Sequence, residues 1–212
     1  MIQVLIVDDQ HLVRAGLRML CESTDDIEVI GEAAGGAEAV RLAARLTPDV
    51  VIMDLRMPGV DGIAATARIL AERPATRVVV LTTFDDDDHL YPALAAGACG
   101  FLAKDVAPGT LVDAIRRAAD GDSPFSAPVL RRLVAQAVGA RQDDSTAPDL
   151  NLTERERTVL SLLAEGSSNA EIAERLHIGV TTVKTHVAGL MTKTGCPNRV
   201  RLAVFAARHG LV

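Results

Sequence analysis

The stretch "IQVLIVDDQ", residues 2–10, runs an apolar segment straight into two adjacent carboxylates, Asp8 and Asp9. The apolar part reads as a buried strand. Like charges side by side repel, so a cation between or beyond them would answer the repulsion. The plainer reading is that Asp9 caps the helix expected from "HLVRAGLRMLCE", residues 11–22. The rest of the chain decides between them.

Strand and helix patterns go on alternating. "IEVIGEA" precedes "GGAEAVRLAARL", "PDVVIMDL" precedes "VDGIAATARILAE", "TRVVVLT" precedes "DDHLYPALAAGA", and "CGFLAK" precedes "APGTLVDAIRRAAD". Short strands without polar alternation are covered on both faces, which implies a parallel sheet with helices on either side. The expected fold class is therefore α/β: a five-stranded parallel, doubly wound, flavodoxin-like domain over residues 1–120. "GDSPFSAP" then breaks the pattern. "PVLRRLVAQAVG", residues 128–139, has helical spacing, and "ARQDDSTAPD" reads as a flexible linker, so residues 121–149 form a linker with one helix. From residue 150 to 212 the pattern is all-α, cut into four helices by "EGSSNAEI", "HIGVTTV" and "GCPNR".

The chain has 212 residues, and 49% of them are hydrophobic, enough for two cores, although Trp is absent and Tyr occurs once. Three cysteines, Cys21, Cys99 and Cys196, are too few and too scattered for a disulfide framework and fit a reducing, cytoplasmic setting. Neither an export signal nor a membrane span is read. The net charge of −6 is unevenly spread: residues 1–120 carry 11 basic and 19 acidic side chains, residues 150–212 carry 8 and 5. An acidic half joined to a mildly basic half suggests a cation for the first and a polyanion for the second.

In a parallel sheet all carboxyl ends lie on one edge, where ligands bind. Asp8 and Asp9 end the first strand, Asp54 the third, Thr82 the fourth and Lys104 the fifth. Three carboxylates, a hydroxyl and an ammonium converge there. Such carboxylates can hold Mg²⁺, which offsets their repulsion. A carboxylate can act as nucleophile and form an aspartyl-phosphate, and Lys104 and Thr82 can contact phosphoryl oxygens. Taken singly, Lys104 reads as a surface lysine, Thr82 as a strand filler and Asp54 as a turn cap. Together at consecutive strand ends they read as a site. The run "FDDDDHL", residues 84–90, instead reads as the charged start of a helix, because successive carboxylates point in different directions.

With "VDD" (7–9), "MDLRMPGVDG" (53–62), "LTTF" (81–84) and "GFLAKD" (100–105), the chain resembles the receiver domain of bacterial two-component response regulators. The resemblance implies that Asp54 accepts a phosphoryl group from a sensor histidine kinase. It implies that Asp9, Asp54 and the backbone carbonyl of Arg56 bind Mg²⁺, with Asp8 assisting through water. It also implies that Thr82 and Phe101 switch position on phosphorylation. Position 101 is Phe where Tyr is often found.

The tail carries its own signals. In "LTERERTVLSLLAEG", Thr153 followed by Glu156 forms a capping box. "SNAEIAERLHI" and "GVTTVKTHVAGLMTKTG" have a helix-turn-helix layout, whose second helix would enter the major groove of DNA. Val180, Val183, Val187 and Leu190 should face the core, and Thr181, Thr182, Lys184, Thr185 and Ala188 should point outward. Lys184 suits a base edge or phosphate, and Lys193 and Arg199 suit phosphates. Periodicity alone fits an ordinary helical bundle equally. "LTERE", "EGSSNAEIAERLHI" and "TVKTHV" resemble the LuxR-type DNA-binding domain, and the whole chain resembles a NarL/FixJ-family regulator. That resemblance implies groove contacts by Lys184 and Thr185 and a last helix, "NRVRLAVFAARHG", that pairs two domains on DNA.

The expectation is a phosphorylation-gated transcription factor, not an enzyme, that dimerises and binds two-half-site operator DNA, with RNA polymerase as a further candidate partner and no membrane contact. Two rivals are a phosphohydrolase with an Asp nucleophile, for which the short loops leave no substrate cavity, and a binder that keeps the receiver only as a scaffold.

Overall fold

The computed structural model of the chain describes residues 1–82, 87–125 and 150–211. The helix expected over 128–139, the linker after it and residues 84–86 of the acidic run lie outside the described residues. The chain divides into two compact units, Met1–Pro124 and Phe125–Val212.

The first unit alternates without exception: β1 (Ile2–Val7), α1 (His11–Glu22), β2 (Ile27–Ala33), α2 (Gly36–Leu46), β3 (Val50–Met53), α3 (Gly62–Glu72), β4 (Arg77–Thr82), α4 (Asp87–Ala95), β5 (Gly100–Ala103) and α5 (Pro108–Ala119). All strand pairs are parallel, in the order β2-β1-β3-β4-β5. Strand order reverses at β1, so the carboxyl ends of β1 and β3 flank the crevice where such sheets bind ligands. Every residue of β3 is buried, as a strand covered on both faces must be.

The strands' two faces feed two aliphatic cores. Val4, Ile6, Ile52 and Val79 pack with Cys21 of α1 and Leu111, Val112 and Ile115 of α5. Leu5, Val7, Val51 and Met53 pack with Ala39 and Ala43 of α2 and Ala65 and Ile69 of α3. Residues of opposite parity thus go to opposite layers, the period-2 rule of a strand. A smaller cluster joins Leu55, Val80, Ala93 and Ala98, with Ile63 and Phe101 against it. Asp61 caps α3 by accepting the Ala64 N–H at 2.7 Å.

Over residues 150–211 the second unit carries four helices: α6 (Glu154–Ala164), α7 (Asn169–Leu176), α8 (Val180–Thr194) and α9 (Arg199–Arg208). Reciprocal capping boxes start α6, between Thr153 and Glu156, and α7, between Ser168 and Glu171. Gly195, in the left-handed region, ends α8. Val183, Val187 and Leu190 of α8 are buried as expected, but Val180 is 40% exposed. It is the first residue of α8, and a helical side chain there leans back over the preceding turn, away from the neighbouring helices.

Candidate functional site

At the carboxyl edge of the sheet, Asp8, Asp54 and Thr82 are buried and Asp9 is exposed. One carboxylate oxygen from each of Asp8, Asp9 and Asp54 lies within 4.8 Å of the others. Asp9 does not cap α1. The N-cap is Gln10, without a side-chain cap, and its N–H donates to Asp8 Oδ1 at 2.8 Å. The two adjacent carboxylates thus end the strand as members of a cluster.

Lys104, one residue past β5, reaches into that cluster. Its Nζ lies 2.7 Å from Asp8 Oδ2 and 3.0 Å from Asp54 Oδ2. Its main-chain N–H donates to the Thr82 carbonyl at 2.7 Å, which continues the β4–β5 pairing past the strand end and fixes where the side chain starts. The Asp8 contact is a close ion pair, and among the described residues no other donor reaches Asp8 Oδ2. Burial pushes the Asp54 carboxyl above its ordinary value; Lys104 opposes this, and the Asp8 charge adds to it. Burial alone would lower the Lys104 ammonium, yet its bonds to Asp8 and Asp54 outweigh burial and hold it above its ordinary value.

The donor set fits a hard divalent cation such as Mg²⁺. It offers three closely spaced oxygen ligands of the carboxylate type that such ions prefer. Asp54 is buried and sits beside exposed Asp9. The main chain of Arg56 follows β3, and its N–H hydrogen-bonds the Asp54 carboxylate. Phe101 is half-buried against Leu55, Val80, Ala93 and Ala98, which links β5 to α4.

Three contributors were not legible as site residues. Gly62 starts α3 directly beneath Asp54: a Cβ there would meet the Asp54 carbonyl oxygen at 2.0 Å. Arg14 Nη1 donates to the Asp8 carbonyl at 2.7 Å, and Glu32 receives Arg14 Nε at 3.3 Å. For Gly62 the available signal was a glycine at a first helical position, where most residues do better.

In the second unit, Thr181, Thr182, Thr185 and Ala188 are exposed on α8 and Lys184 is half-buried. The Thr185 hydroxyl donates back to the Thr181 carbonyl at 3.0 Å. Lys193 pairs with Glu156 at 2.8 Å. Arg199 differs from its expected place at a DNA phosphate. It is buried, and its guanidinium donates to Asn169 Oδ1 and the Ser167 carbonyl, tying α9 to the start of α7. A basic residue early in a helix reads as a surface charge in sequence; here the fork satisfies a carbonyl and an amide that the α6–α7 turn buries.

Comparison with known proteins agrees with both halves. Residues 4–116 match the response regulator receiver domain, and residues 150–206 match the LuxR family of bacterial regulatory proteins. The chain is a two-component response regulator with a LuxR-type DNA-binding domain. It is 43% identical over 212 residues to the transcriptional regulatory protein LiaR of Bacillus subtilis, covering 100% of both chains. It is 38% identical over 213 residues to the response regulator VraR of Staphylococcus aureus, covering 100% of this chain and 99% of that one. The first of these relatives is a transcriptional regulatory protein and the second a response regulator. Among solved structures it resembles the response regulator ChrA of a heme-sensing two-component system, with a TM-score of 0.54, 34% identity and coverage of 100% and 98%. It also resembles RcsB, solved as two dimers bound to two parallel DNAs, with a TM-score of 0.57, 27% identity and 98% coverage of each chain. Among the described residues no helix is long and apolar enough to cross a membrane.

Proposed function

We propose that Asp54 of this response regulator accepts a phosphoryl group from a sensor histidine kinase, and that the modified chain dimerises and binds operator DNA in the cytoplasm. The observation that carries the reading is the convergence of Asp8, Asp9, Asp54 and Lys104 at one sheet edge. Residues 1–120 are the receiver, 121–149 the link and 150–212 the DNA-binding domain. Asp9, Asp54 and the Arg56 carbonyl would hold Mg²⁺, with Asp8 acting through water; the ion offsets charge on the phosphoryl oxygens. The Asp54 carboxylate is the nucleophile. The Lys104 ammonium and the Thr82 hydroxyl take phosphoryl oxygens, and the pull on Thr82 lets Phe101 repack beside α4, biasing a two-state equilibrium.

Dimerisation pairs the last helices of two copies, and the similar RcsB, solved as dimers bound to DNA, supports a dimeric DNA-bound form. Each α8 then enters a major groove, with Thr181, Thr182, Lys184, Thr185 and Ala188 toward the bases and backbone. Lys193 reaches a phosphate by leaving Glu156. RNA polymerase is a further candidate partner of the DNA-bound dimer. The test uses a small phosphodonor with Mg²⁺. Wild type is labelled and gains DNA affinity, whereas Asp54→Asn is not labelled and gains none. Labelling of the variant would remove Asp54 from the role.

A further inference from the structure

Parity along β2 contains a reversal. Ile2, Gln3 and Val4 of β1 pair with Ile27, Glu28 and Val29, but Leu5, Ile6 and Val7 pair with Gly31, Glu32 and Ala33. Ile30 is the extra residue of a bulge. Before it, Ile27 and Val29 face the α1/α5 core. Unbroken alternation would send residues 31 and 33 to that face and residue 32 to the other. The bulge inverts this: Ala33 joins the α2/α3 core, and a Cβ on Gly31 would meet Leu46 of α2. Glu32, opposite Ile6, therefore turns to the α1 side. Bulges re-aim side chains in this way, often beside functional sites.

On that side Glu32 meets two arginines of α1. Its carboxylate accepts Arg14 Nε at 3.3 Å and also Arg18 Nε. Arg14 is largely buried, its side chain 12% exposed, and its remaining arm donates from Nη1 to the Asp8 carbonyl oxygen at 2.7 Å. The peptide so gripped joins Asp8 to Asp9. No N-cap side chain holds the start of α1, so the turn that aims both carboxylates is held by the Asp8–Gln10 bond and by Arg14.

We infer that Arg14, oriented by Glu32 across the bulge of β2, is a positioning residue for the Asp8–Asp9 turn and sets the affinity of the acidic cluster for a divalent cation. The inference rests on the reading of this cluster as the cation and phosphoacceptor site. Arg14 touches neither cation nor phosphoryl group. It acts through the peptide plane, as outer hydrogen bonds act on metal ligands elsewhere. Its planar fork is what allows one side chain to bind a carboxylate and a carbonyl at once, which a lysine ammonium on a flexible stem does not reproduce.

The experiment titrates the full chain with Mg²⁺ alone by calorimetry and follows thermal unfolding with and without the ion. Arg14→Met keeps the apolar stem and removes the donors; Glu32→Gln keeps an acceptor and removes the charge. The expected result is a Mg²⁺ dissociation constant raised on the order of 10-fold in Arg14→Met and by a smaller factor in Glu32→Gln, as for outer contacts to metal ligands. Labelling of Asp54 by a small phosphodonor recovers toward wild type at saturating Mg²⁺. A purely structural role would lower the metal-free unfolding temperature and leave Mg²⁺ affinity in place. Affinities within about twofold of wild type, a change of under 0.5 kcal/mol, overturn the inference. Should Arg14→Met fail to fold, Glu32→Gln decides by the same criterion. Failure of the wild type itself to bind Mg²⁺ overturns the reading of the cluster instead, so the two failures are distinct.

Discussion

Lys104 and Asp54 face each other across the β3–β5 edge, Nζ 3.0 Å from Oδ2, with Asp8 on the ammonium's other side. One cation therefore compensates two buried carboxylates. Removing it by Lys104→Met leaves both carboxylates without a cation, with the Gln10 N–H on Asp8 and the Arg56 N–H on Asp54 as neutral donors and the like charge of Asp9 beside them. Deleting one partner of a buried pair is strongly destabilising, and here the loss should be about 3 kcal/mol, the low end for such sites because the cluster opens at Asp9. Mg²⁺ replaces part of the missing charge, so the deficit shrinks when the ion is added. Urea unfolding with and without Mg²⁺ measures both; equal stability of variant and wild type would contradict the ion-pair geometry.

Gly62 sits under the phosphoacceptor so closely that a methyl group has no place. A Cβ would lie 2.0 Å from the Asp54 carbonyl oxygen and 2.8 Å from Leu55 Cα, both backbone atoms that cannot swing aside. Gly62→Ala should therefore shift the β3–α3 loop, at a cost of about 2–3 kcal/mol as for other overpacked sites. Asp54 should also label more slowly than in wild type. Denaturant unfolding and phosphodonor labelling check the two effects, and a silent substitution would contradict the close contact between Gly62 and the Asp54 main chain.

The capping box of α6 gives a pH dependence. Glu156 accepts Lys193 Nζ at 2.8 Å and the Thr153 N–H at 2.9 Å, and these contacts, the Lys193 bond first, pull its carboxyl down from 4.5 to about 2. A folded value below the unfolded one means that the unfolded chain binds the proton first. Stability from this group is complete above pH 4.5 and is lost as pH falls through about 2. Glu156→Gln should cost about 1 kcal/mol at pH 7, typical of a cap with an exposed ion pair. The gap to wild type should close in acid. A constant gap down to the lowest pH at which the protein folds would show that charge plays no part.

How much of this was readable in the chain depends on the kind of interaction. The strands, their order of alternation and the helices of both halves follow from local apolar pattern and caps, which a sequence displays directly. Asp8, Asp54 and Lys104 were readable because a parallel sheet puts strand ends on one edge. Glu32 was not. Its face depends on a bulge at Ile30, and period-2 reading assigns it to the opposite layer. Val180 continues the apolar period of α8 yet is exposed, because helix ends obey the neighbouring turn as much as the period. Arg199 was misplaced for a similar reason: its partners at 167 and 169 come from a distant turn that no local pattern announces.

That misplacement separates two basic residues that sequence alone treats alike. A phosphate contact releases counterions, so its loss lowers the salt dependence of DNA binding by about one unit of slope. Lys184, half-buried on α8 among exposed threonines, should behave so: Lys184→Ala weakens binding to a labelled duplex and flattens its dependence on salt. Arg199 is buried, and its guanidinium holds the Ser167 carbonyl and Asn169. Arg199→Met leaves those acceptors unsatisfied in the interior, at a cost of about 2–3 kcal/mol to the second unit. Under conditions where it stays folded, its salt slope should match wild type. Fluorescence anisotropy across a salt series, paired with urea unfolding of each variant, distinguishes the two. A folded Arg199→Met protein with a slope reduced by a full unit would place that arginine on the DNA after all.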